Sequence, residues 1–171
     1  AVADVTAALQ PASSGELGAA TDLLARLPPS SSTSYLAARA LVAAAAGDDE
    51  ALVIAKRLRT LSGATYLDRA SAEAAAALRA AAGGEHEASR RAALDHLDRL
   101  QREVEPTGDR TARALAALTR ARVLTRLDHP EATAARQSAH EIVVELGIEP
   151  VGWETVFDLA LGVPAASAPQ P

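Results

Sequence analysis

Cysteine is absent from the 171 residues, and aromatic side chains nearly so: one Trp, one Phe and two Tyr. Without cysteine the chain can form no disulfide, no zinc–thiolate site and no thiol nucleophile. With so few aromatic and β-branched residues there is little to build a sheet. Long apolar runs are missing too. None approaches the ~20 residues that span a bilayer, and no charged-then-apolar leader opens the chain, so no membrane association is expected. Lysine is almost missing: sixteen of the seventeen basic residues are Arg, and Lys56 is the exception. That bias fits a GC-rich coding sequence and needs no functional cause. The formal charge of −5 is mild and argues against non-specific nucleic-acid binding. A cytoplasmic segment is the expectation, and a start at Ala1 without methionine fits an excised domain or a processed product.

What the chain does have is alanine. Hydrophobic residues make up 49% of it, yet Leu, Ile, Val and Phe together number only 37, about 22%. That lies just above the ~20% below which chains tend to stay disordered. The core must therefore be thin and made by close helix–helix approach, which alanine permits. Alanine is also the strongest helix former. The expected fold class is all-α.

Punctuation divides the chain into helices. A run opening at Ser14 or Gly15 ends before Pro28-Pro29, which cannot continue a helix. "PPSSSTS" supplies a loop whose last hydroxyls can cap a helix over about 33–46. Gly47 stops it, and Asp48, Asp49 and Glu50 place negative charge at the start of the next, about 49–62, where the helix dipole favours it. Further helices are expected over about 65–82, 86–105, 109–127 and 130–146, ended by Gly83-Gly84, Pro106 with Gly108, "DHP" and Gly147. A short element over about 151–161 carries Trp153 and Phe157. Residues 1–162 read as one domain. The tail "VPAASAPQP" (163–171) has linker composition and is expected to be disordered. The breaks are short, so successive helices should form antiparallel hairpins.

A repeat underlies this series. "GELGA" (15–19), "GDDEA" (47–51), "GEHEA" (84–88) and "DHPEA" (128–132) each place a turn residue four positions before an alanine. Another alanine stands seven residues before each turn: Ala8, Ala40, Ala77 and Ala121. The anchors recur at spacings of 32, 37 and 44 residues. The pattern resembles tetratricopeptide-type repeats, helix–turn–helix units of about 34 residues. In that family a small residue of the first helix packs on its partner, a turn follows, and a small residue early in the second helix admits the next repeat. Ala40, Gly47 and Ala51 match those positions, as do Ala77, Gly84 and Ala88. The family's first-helix aromatics are largely replaced here by Ala or charged residues. The resemblance covers about residues 1–146 and implies a short α-solenoid with a concave groove for a protein or peptide. More narrowly, "DHPEATAARQSAHEIVVELGIEP" is similar to closing repeats in the helical sensor regions of large actinobacterial-type ATP-dependent transcriptional regulators, which implies a regulatory module or a small-ligand sensor.

No signature of catalysis fits the sequence. His140-Glu141 starts like HExxH, but position 144 is Val, so the second imidazole one turn on is missing. His96 sits between Asp95 and Asp98, yet Asp95, Arg99 and Glu103 alternate in sign at i, i+4, i+8 as a solvated face does. No phosphate-binding glycine loop and no G-x-S-x-G elbow occurs. No carboxylate reads as lying in an apolar segment that would raise its pKa for acid–base work. The expectation is a non-enzyme with no catalytic residue, no metal and no cofactor.

Two features invite a binding role. Arg110, Arg113 and Arg120 fall within a narrow arc of the helix over 109–127, while Arg122 and Arg126 share another side. By the family's layout this first helix of its pair lines the groove, where guanidinium forks could clamp a partner's carboxylates. In "EPVGWETVFDLAL", Trp153, Val156, Phe157 and Ala160 stand at i, i+3, i+4 and i+7, on one helix face. That face suits a helix capping the open end of an array, or a docking or homodimer surface anchored on Trp153 and Phe157.

Overall fold

The computed structural model describes residues 17–26, 32–147 and 151–162. The tail expected at 163–171 and the anchors Ala8 and Gly15 lie outside the described residues. Those residues are all-helical, with eight α-helices and no strand. They are α1 (Leu17–Arg26), α2 (Thr33–Ala45), α3 (Glu50–Thr60), α4 (Tyr66–Ala82), α5 (Glu87–Val104), α6 (Arg110–Arg126), α7 (Ala132–Leu146) and α8 (Val151–Ala160). A 3-10 turn, Glu105–Thr107, follows α5. None of these helices is long and apolar enough to cross a membrane.

Local chemistry explains where the helices begin and end. Thr65 and Asp68 form a capping box at the start of α4: the Thr65 side chain accepts from the Asp68 amide, and Asp68 Oδ2 accepts from the Thr65 amide at 3.0 Å. These bonds satisfy two of the amide donors that a helix start leaves without partners. Asp109 does the same for α6, accepting from the Ala112 amide at 3.0 Å. At the start of α3, Asp48 Oδ1 accepts from the Glu50 amide at 2.9 Å. Gly147 ends α7 in the left-handed conformation, φ 62°, which costs a glycine nothing.

α4 is the hub. It packs against α2, α3, α5, α6 and α8, most extensively against α5. A helix with neighbours on that many sides must be small on all of them. Ala70, Ala72, Ala74, Ala75, Ala76, Ala77 and Ala81 are all fully buried. Larger side chains enter from around this alanine rod, and Leu58, Leu100, Leu124, Leu127 and Phe157 are buried, as is Leu78 of α4 itself. Sequence neighbours pair as α2 with α3, α4 with α5 and α6 with α7, and α4 also touches both α2 and α6.

Of the alanine anchors, Ala40, Ala51 and Ala77 are fully buried and Ala121 nearly so. Ala88 departs from its expected place. It is exposed in the first turn of α5, and Ala19 is exposed as well. α8 does not pack mainly on its chain neighbour. Its main contacts are with α2 and α4 rather than with α7, the helix before it in the chain.

Candidate functional site

The arginines of α6 separate into two groups. Arg120 pairs with Glu131, just before α7, and Arg110 reaches 4.0 Å from Glu145 near the end of α7. Both therefore lean toward the partner helix of their own hairpin. Arg113 lies on the same arc and is exposed. Arg122, on roughly the opposite side, stands 3.2 Å from Asp158 of α8. Arg126 donates to the Ala82 carbonyl at the end of α4, at 3.4 Å. So Arg122 is the arginine that meets the segment laid over α2 and α4. Periodicity had separated these two arcs, but which one faces α8 depends on tertiary packing.

α8 itself is held by its apolar stripe. Val156, Phe157, Ala160 and Leu161 are buried, Phe157 to 1% exposure. Burial of that ring alone stabilises the packing by roughly 1.5–3 kcal/mol. Phe157 is thus an anchor within its own chain; the side chain of Trp153 lies outside the described residues.

A second cluster went unseen in the sequence. Glu73 of α4 is only 2% exposed. Its Oε1 accepts from Arg59 Nε of α3 at 2.6 Å, and its Oε2 lies 2.6 Å from His96 Nδ1 of α5. A carboxylate only accepts, so Nδ1 carries the proton and donates. The 3.4 Å approach of Arg59 to the same Nδ1 is then a contact between two donors and not a hydrogen bond. Burial alone pushes the Glu73 carboxyl up, but the hydrogen bonds and charges of His96 and Arg59 outweigh it and hold the group below its ordinary value. This corrects two expectations. Glu73 does lie in an apolar segment, alone among alanines in "ASAEAAAALRAAA", and its shift is downward. His96 is buried and does not belong to a solvated face. Glu103, assigned to that face, pairs across to Arg69 of α4 at 2.8 Å.

A carboxylate-held imidazole can serve as a base when a nucleophile meets its other nitrogen. No hydroxyl is hydrogen-bonded to His96 among the described residues; its polar contacts are Glu73 and Arg59. The arrangement therefore cross-links α3, α4 and α5. The other histidines lie apart. His86 and His140 are exposed, and His129 Nδ1 accepts from the Glu131 amide at 3.3 Å. Among the described residues no group of three or more His, Asp or Glu could hold a metal ion.

A shallow open cleft of about 280 Å³ lies where α1 meets α2 and the start of α3, bordered by Tyr35, Arg39, Val42, Ala43, Asp48 and Glu50. Its cation is already engaged, because Arg39 pairs with Glu50 at 2.7 Å. No known family model, characterised protein or solved structure matches the chain.

Proposed function

We propose that the chain is a non-catalytic interaction module of tetratricopeptide-like type, in which antiparallel hairpins α2/α3, α4/α5 and α6/α7 stack in one direction. A protein or peptide segment binds on the face shared by the first helices α2, α4 and α6. One observation carries this reading: α8 lies across α2 and α4 and is tied to α6 through Arg122 and Asp158. A surface that already holds one helix has the apolar area and the cation that another would use. The buried anchors Ala40, Ala77 and Ala121, one in each first helix, add support. The similarity of residues 128–150 to closing repeats of large transcriptional regulators makes a regulatory setting the natural one. Sensing of a small ligand has a single point in its favour, the cleft beside Tyr35, and the Arg39–Glu50 pair across it leaves a ligand little unused polarity.

The test is site-specific photo-crosslinking in the source cell, with the full chain carrying the reactive group at Arg113, at Arg122 or at Val53. Val53 is 66% exposed on the second helix α3 and serves as the control. The reading expects protein adducts at Arg122 and none at Val53, while Arg113, on the opposite arc of α6, reports a partner held on the α7 side instead. Adducts that avoid Arg122, or none anywhere, would remove it.

A further inference from the structure

α8 is out of order in the fold. Four residues separate it from α7, yet its main partners are α2, more than a hundred residues earlier in the chain, and α4, about seventy earlier. Among the described residues, a buried stripe and an ion pair hold it. Val156, Phe157, Ala160 and Leu161, at i, i+1, i+4 and i+5, are buried. Asp158 stands beside the stripe, half-exposed, with Arg122 at 3.2 Å. This is how an amphipathic helix seats in a groove: apolar positions one turn apart supply affinity, and a flanking charge sets the register.

We propose that the face of α2 and α4 beneath α8 is a helix-binding site and that α8 is its built-in occupant. A partner enters by displacing it. The partner is an amphipathic helix with a large aromatic at the Phe157 position, apolar residues at the Val156, Ala160 and Leu161 positions, and an acid where Asp158 stands. This inference rests on the interaction reading above and adds to it the class of partner and its regulation.

Three physical points support displacement. α8 has ten residues, fewer than the ~12–15 at which an isolated helix holds in water. Its helicity therefore depends on docking, and undocking melts it, which makes occupancy all-or-none. Its link to α7, residues 147–150, is short, so α8 competes at an effective concentration of the order of millimolar. An incoming helix must overcome that concentration, and the site stays closed to weak or mismatched sequences. Finally, the ion pair is partly open to water, with side chains 35% and 32% exposed. Such a pair contributes orientation more than affinity, and an incoming acid replaces it at little cost.

The test uses a fluorescein-labelled peptide of residues 149–162 and fluorescence anisotropy. Full-length Phe157→Ala, whose α8 has lost its anchor, should bind the peptide at least tenfold more tightly than the wild-type chain. Unlabelled peptide should compete, and the same peptide carrying Phe157→Ala should not. An Asp158→Arg peptide should bind the Phe157→Ala chain weakly and recover on a chain that also carries Arg122→Asp. Because Phe157→Ala also removes a fully buried side chain, a second chain carries a protease site within residues 148–150 and is cut after folding. It should exchange its own α8 for labelled peptide while keeping its cooperative melt. Equal or absent binding by both chains overturns the proposal. So does loss of the cooperative melt in the cut chain, since α8 would then be an integral layer of the core. Concentration-dependent dimers of the cut chain that take up no peptide would assign the face to a second copy and also overturn it. Protein adducts in the cell without peptide exchange would leave the interaction reading standing and remove only this one.

Discussion

A methyl group on Gly84 would stand 2.7 Å from Leu127 Cδ2 and 2.8 Å from the Ala81 carbonyl oxygen. The turn between α4 and α5 is therefore glycine for reasons of space, because the Ala81 carbonyl, which is backbone and cannot swing away, and Leu127, at the end of α6, both press into it. Gly47, in the corresponding turn between α2 and α3, is glycine for another reason: its φ is +76° with nothing within 4 Å. Gly84→Ala should overpack the contact and cost about 1–3 kcal/mol. Gly47→Ala should cost about 1–2 kcal/mol through backbone strain alone. Denaturant midpoints separate the two causes. In a Leu127→Val background the part of the Gly84→Ala cost that comes from Leu127 should be relieved, leaving the part from the Ala81 carbonyl, while the cost of Gly47→Ala stays constant, since only neighbours couple. Equal costs in both backgrounds would show that Leu127 is not what crowds Gly84.

The alanine rod of α4 sets a second expectation. Ala77 is fully buried, so Ala77→Leu should push neighbouring helices apart and cost about 1–3 kcal/mol. Ala88, exposed at the start of α5, should accept the same change within about 0.5 kcal/mol. Thermal melts of the two variants check this, and a melt unchanged by Ala77→Leu would contradict the burial of that position.

From α2 to α8 the helix boundaries were legible in the sequence to within two residues because they are written locally. Gly47, Gly83-Gly84 and Gly147 stop helices, and Thr65 and Asp109 start them through their own side chains. The face of α8 was legible for the same reason: Val156, Phe157 and Ala160 recur at helical spacing and are buried. What covers that face was not, since periodicity shows that a stripe is buried without showing against what. Glu73 is the instructive miss. An acid alone in an alanine run is a signal of a buried charge, but its partners Arg59 and His96 lie 14 and 23 residues away. Their convergence needs three helices already in place.

That convergence has a measurable energetic role. Glu73→Gln keeps the size of the side chain and removes its charge, leaving the Arg59 guanidinium and the His96 Nδ1–H facing a neutral amide. Loss of one partner from a buried pair costs about 3–5 kcal/mol, and here about 3 is expected, because Arg59 keeps contact with water. A double-mutant cycle with His96→Leu should show coupling between the two positions. Additive losses would mean that the 2.6 Å approach contributes no pairing energy.

Acid sensitivity follows from two carboxyls. Burial pushes Asp68 up, but the hydrogen bonds from Thr65 and from Thr33 of α2 outweigh it and hold the group below its ordinary value; Thr33 Oγ1 donates at 2.7 Å. Glu73 is held low by His96 and Arg59. A carboxyl whose pKa is lower in the folded chain than in the unfolded one binds protons more readily after unfolding. Its stabilising contribution is therefore complete above the unfolded values, about 4, and disappears as the pH falls through the folded ones. The urea midpoint of the wild-type chain should fall steeply below about pH 4. Asp68→Asn/Glu73→Gln should start lower at pH 7, since it has lost both sets of bonds, and should decline less between pH 5 and pH 3. The two curves should converge as the wild-type carboxyls protonate. Parallel curves would place the acid-sensitive groups elsewhere on the chain and leave the capping box and the Glu73 cluster indifferent to protonation.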